Sequence, residues 1–112
     1  MPKLHYINSK LYDAINILTT HEGDARTRLA KILPKVQRLP IKNFPQELQD
    51  DFMWVKDMLD KGNKNPISNV LPAKLTGIQN KTASKVIRKI IFIQNQVDLL
   101  IEESIHKNSS KD

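Results

Sequence analysis

Apolar residues recur every three or four positions along most of this chain, the spacing of helices that bury one face. The first such stripe is Leu4, Ile7, Leu11, Ile15 and Leu18, widened by Tyr6, Ala14 and Ile17. "HEGD" at 21–24 then interrupts it: Gly23 stops one helix, and Asp24 offers a carboxylate to cap the next. Leu29, Ile32, Leu33 and Val36 predict a second helix from about Ala25, with Pro34 bending it or ending it near Leu33. Pro45 and Glu47 suit the first turn of a third helix, whose inward stripe is Leu48, Phe52, Val55, Met58 and Leu59, with Gly62 as a left-handed stop. A short helix is expected over 69–78, with Pro72 in its first turn. Asn80 or Thr82 then caps a last, long helix to about Ile105. No segment alternates with period two for long enough to argue a strand.

The last helix, "VIRKIIFIQNQVDLLIEESI" at 86–105, raises the sharpest question, because so much of it is apolar. Val86, Ile90, Ile93, Val97 and Leu100 step by four and three, the spacing of a coiled-coil seam. About two heptads carry that seam, which suits the interior of a bundle better than a free coiled coil. Phe92 and Leu99 point the other way, among Arg88, Lys89, Gln96 and Glu103. Either the first helix covers this pair, or it meets a second subunit or a partner. The pattern predicts an all-α fold: a bundle of four to five helices with a long C-terminal helix, dimeric, forming one domain over 1–106 with a flexible tail at 107–112.

Composition narrows the chemistry. The 112 residues suit a single domain, and the absence of cysteine removes disulfides and thiolate chemistry. Apolar runs stop at three or four residues, no cleavable leader is visible, and the last helix carries mixed charge on its polar face, so no membrane partner is expected. His5, His21 and His106 lie in separate segments without ligand spacing, which argues against a metal. The turn reading of "HEGD" is simpler than an acid–base one. Asp50 and Asp51 are adjacent, hence about 100° apart on a helix, and read as a solvated face. The three glycines are scattered, so no phosphate-cradling loop is present. No catalytic, cofactor or metal residues are assigned, and the chain is expected not to be an enzyme.

The net charge of +6 raises binding to an anionic partner as a possibility. Residues 24–42 hold six cations against Asp24, and residues 43–60 hold five acids against Lys56. An antiparallel pair of these segments would neutralise much of that charge. Arg28, Lys31, Lys35 and Arg38 step by three and four and form one ridge if the helix survives Pro34, suited to phosphate or to an acidic protein surface. Trp54, among Asp50, Asp51 and Asp57, is either half-buried core or an interface anchor. A nucleic-acid-binding regulator is the alternative reading. Against it, the interleaved aromatics of single-strand binders are missing, and the last helix is too apolar to lie in a groove.

"EGDARTRL" at 22–29, "FPQELQDDF" at 44–52 and "NKTASKVIRKI" at 80–90 together resemble a set of small bacterial helical proteins with an E-G-D-x-R-x-R-L, F-P-x-E-L and N-K-T-A pattern. These are capping and packing signatures and imply no activity. The Lys-, Asn- and Ile-rich usage, with "IEES" near the C-terminus, also resembles Legionella proteins. Among these it is similar to the small helical inhibitors that regulate ubiquitin-deamidating and ubiquitin-transglutaminating effectors. That resemblance implies a non-enzymatic binder, self-associating when free, that covers the enzyme's ubiquitin-facing surface. It implies a bacterial cytoplasmic location, or a host cytosol if the protein is secreted. The candidate partner-binding residues are Phe92, Leu99, Trp54, Arg28, Lys31, Lys35 and Arg38.

Overall fold

A computed structural model describes residues 3–64 and 72–109, with side chains through residue 105. Among the described residues there are four helices: α1 (Leu4–Thr20), α2 (Ala25–Gln37), α3 (Gln46–Gly62) and α4 (Asn80–Ser109), with a 3-10 turn at Ile41–Asn43 between α2 and α3. No strand occurs among the described residues.

The periodic stripes are the core. Ile7, Leu11, Ala14 and Leu18 of α1 meet Leu29, Ile32 and Val36 of α2, Leu48, Phe52, Val55 and Leu59 of α3, and Val86, Ile90, Ile93 and Val97 of α4 in one buried cluster. Each of these Val, Leu, Ile and Phe side chains contributes roughly 1.5–3 kcal/mol on leaving water. Phe44 and Phe52 stack with ring centroids 4.0 Å apart and fix the entry into α3. Tyr6 departs from the expected stripe. It turns outward beneath the ammonium of Lys10, 5.9 Å from the ring centre.

Pro34 does not end α2, which runs through it to Gln37. The cost of a mid-helix proline, about 3 kcal/mol, is outweighed because Ile32, Leu33 and Val36 on both sides of it are buried. Gly62 is not a left-handed stop: among the described glycines only Gly23 has positive φ, at 111°. Gly62 instead lets Leu75 and Ile78 approach, since a Cβ there meets Leu75 at 3.1 Å.

The short helix expected over 69–78 is absent where it is described; residues 69–71 lie outside the described residues. From Pro72 to Gln79 the backbone is irregular because its donors are used elsewhere: Leu75 N–H donates to the Arg26 carbonyl at 3.2 Å, and Gly77 N–H to the Gly62 carbonyl at 2.9 Å. Nor does Asn80 cap its own helix. The Gln79 carbonyl accepts the first bond of α4, from Ala83 N–H, and the Asn80 amide turns to Asp24 and to Arg26 N–H at the start of α2.

Candidate protein-binding groove

Trp54 and Phe92, far apart in sequence, face one groove of about 630 Å³ between α3 and α4. Two helices lying side by side always leave a furrow, and its lining follows from their periodicities. On α4, Lys85, Arg88, Lys89 and Phe92 step by three, one and three, which sets them on one flank; on α3, Asp50, Asp51 and Trp54 do the same. Phe92 is 44% exposed and Leu99 50%, so the first helix does not cover this pair. Leu99 lies beyond the groove on the same face of α4, two turns or about 10 Å further on.

Charge is arranged around the aromatics rather than beneath them. The Lys89 ammonium sits 3.1 Å from a carboxylate oxygen of Asp51, tying α4 to α3, and 5.4 Å from the centre of the Phe92 ring. The pair is partly exposed and so contributes at most about 1 kcal/mol, but it holds Phe92 against one wall. Asp50 and Arg88 remain solvent-exposed at opposite rims. Asp50 and Asp51 are thus groove walls rather than simply a solvated face. A half-exposed ring and a Trp thus share one groove, with both signs of charge at its rim.

The basic ridge is not one surface. The Arg28 guanidinium reaches back to the Leu18 carbonyl at 3.1 Å and satisfies the C-terminal end of α1. Lys31 is exposed alone, while Lys35 and Arg38 join Tyr6 and Lys10 at a second cleft. Internal neutralisation of this charge by the acids of α3 does not occur either. The described ion pairs are Arg26 to Asp24, 3.7 Å, and Lys89 to Asp51, so the one acid of α3 in a described ion pair, Asp51, draws its cation from α4. Among the described residues a Gln37 to Asp60 hydrogen bond links the polar faces of α2 and α3. Sequence reasoning gave Lys85 and Lys10 no site role and placed Tyr6 in the buried stripe, although the Tyr6 to Lys10 spacing of four was a visible signal.

Two polar assemblies hold the helices that frame these surfaces. Asp24 accepts from Thr27 N–H and from the Thr27 hydroxyl, both at 2.9 Å, and from the Asn80 amide at 3.0 Å. The Thr27 N–H foremost, then Asn80 and the Thr27 hydroxyl, hold its carboxyl well below the usual carboxylate range. "HEGD" is accordingly a capping turn, with His21 and Glu22 exposed. Across the α1–α4 seam Asp98 accepts from Gln94 at 2.7 Å, Tyr12 at 2.9 Å and Asn8 at 3.0 Å. Burial pushes that carboxyl up, and the three donors together outweigh it and hold it low. The same bond to Asp98 pushes the Tyr12 phenol up.

Among the described residues no three His, Cys, Asp or Glu side chains cluster to hold a metal ion, and no described helix is long and apolar enough to cross a membrane. No protein-family profile matches the chain, and comparison with curated proteins and with solved structures finds no match either.

Proposed function

We propose that this protein acts by occupying a surface of another protein, an enzyme, through the α3–α4 groove and the adjoining face of α4. The observation that carries this reading is the exposure of Phe92 next to Trp54, since a small bundle gains nothing in stability from a large aromatic left half in water. Trp54 and Phe92 act as anchors, Leu99 extends the apolar contact, and Asp50 and Arg88 set orientation at the rim. The resemblance to small helical inhibitors of ubiquitin-modifying effectors supplies the target class: a ubiquitin-deamidating or ubiquitin-transglutaminating enzyme. In the free protein the same outer face of α4 pairs with a second copy.

The test mixes the protein with such an enzyme and follows ubiquitin modification. Wild type is expected to inhibit, and the F92K/L99K double variant to lose inhibition and self-association while keeping its far-UV helicity. Equal inhibition by both proteins contradicts the reading. The alternative, a nucleic-acid-binding regulator, draws support from the unpaired cations of α2. It predicts binding that falls steeply with salt and is lost in K31Q/K35Q.

A further inference from the structure

A second concavity, of about 460 Å³, lies between α1 and the end of α2, lined by Tyr6, Lys10, Pro34, Lys35, Arg38 and Leu39. It shares no residue with the α3–α4 groove. Three of its six lining residues are cations and none is an acid, and neither of the described ion pairs uses any of the three. Cations brought to one cleft from two helices repel each other, so the arrangement is stabilised when an anion enters. Leu39 forms a buried floor, while Tyr6, 47% exposed, offers a flat wall with a polar tip. The positive end of α1, whose first turn holds no carboxylate, faces the negative end of α2, and the three cations are added to those two opposed ends.

Pro34 belongs to the same cleft. α2 continues past it to Gln37 and so carries Lys35 and Arg38 to the cleft opposite Lys10. The volume lies within the range of small-ligand sites, as that of the α3–α4 groove does too, and what sets this cleft apart is three cations around one exposed ring.

We propose that this cleft binds a small ligand that presents phosphate beside a planar ring, the chemistry of a nucleoside phosphate. Arg38 and Lys35 take the phosphate oxygens, Arg38 with its forked donors, and Lys10 closes from the other helix. The ring lies against Tyr6, displacing the Lys10 ammonium that covers it in the free protein.

The experiment is a titration of the full-length protein with ATP, with inorganic triphosphate and with a short unphosphorylated oligonucleotide, followed by amide chemical shifts. ATP is expected to shift Tyr6, Lys10, Lys35 and Arg38, more tightly than triphosphate. The K35Q/R38Q variant, altered at two exposed positions and checked by far-UV circular dichroism, is expected to bind ATP about tenfold or more weakly. Tyr6→Ala is expected to abolish the advantage of ATP over triphosphate. Unchanged affinity in K35Q/R38Q overturns the site, as does the absence of shifts at these four residues. Triphosphate binding as tightly as ATP overturns the ring-binding part. Tighter binding of the oligonucleotide, indifferent to Tyr6→Ala, overturns the small-ligand assignment in favour of a polyanion surface. If ATP binds nowhere, Lys35 and Arg38 only complement the negative end of α2.

Discussion

At the scale of single residues, the same side-chain type has opposite value in different places. Phe52 is fully buried and stacked on Phe44, so Phe52→Ala should cost about 3–5 kcal/mol, read as a lower urea midpoint. Phe92 is 44% exposed; Phe92→Lys should therefore cost only about 1 kcal/mol, well short of Phe52→Ala, while removing binding. A large loss of stability in Phe92→Lys would show that Phe92 is core. Acid sensitivity also belongs here. Asp24 and Asp98 are both held below the usual carboxylate range, so the folded state binds protons more weakly than the unfolded one. Their contribution is complete above the unfolded value near ~3.9 and is lost as pH falls through it toward the lower folded values. Asp98→Asn should flatten the stability profile below about pH 4, measured by urea unfolding at stepped pH; an unchanged slope would remove Asp98 from the account.

At the scale of elements, the helices were legible because each buries a periodic stripe: Leu11 and Leu18, Leu29 and Val36, Phe52 and Leu59, Ile90 and Val97 all lie in the core. The caps were legible only where they are local. Asp24 and Thr27 are three residues apart, whereas the Asn80 amide crosses 56 positions to reach Asp24. A side chain with cap chemistry carries no mark of which helix it will serve. The segment after Pro72 misled for the same reason: its backbone donors are taken by Arg26 and Gly62, tertiary partners that periodicity does not report. Pro34 misled in the opposite direction, since burial around it sustains α2. The close approach of Gly77 to α3 yields a prediction. A Cβ at Gly77 would stand 1.9 Å from the Lys61 carbonyl oxygen, so the junction of α3 with the segment leading into α4 must open. Gly77→Ala should destabilise by about 1–3 kcal/mol or more, with amide protection lost first at Leu75 and Ala83. An unperturbed melting curve would show that the junction yields without cost.

At the scale of the whole molecule, the charges of α2 and α3 are not cancelled against each other. The cations of α2 are dispersed, with Arg26 on Asp24, Arg28 on the Leu18 carbonyl and Lys35 and Arg38 at the second cleft, while of the acids of α3 Asp51 takes its cation from α4. Trp54 and Phe92 were each identifiable from sequence as candidate anchors. Their meeting was not, because it depends on how α3 lies against α4. The ridge from Arg28 to Arg38 looked continuous for the converse reason. Helical spacing aligned the four cations, but the bond of Arg28 to the Leu18 carbonyl removes one and the second cleft claims two. Two separate surfaces follow, one with two aromatics ringed by charge of both signs and one that is cationic.

The central claim is that the α3–α4 groove binds protein. It is tested most directly by capturing partners of the tagged protein after nuclease treatment, comparing wild type with Phe92→Lys at low and at high salt. One discrete protein retained by wild type at high salt and lost in Phe92→Lys is the predicted result. Equal retention by both, or recovery only of material that high salt removes, would contradict it.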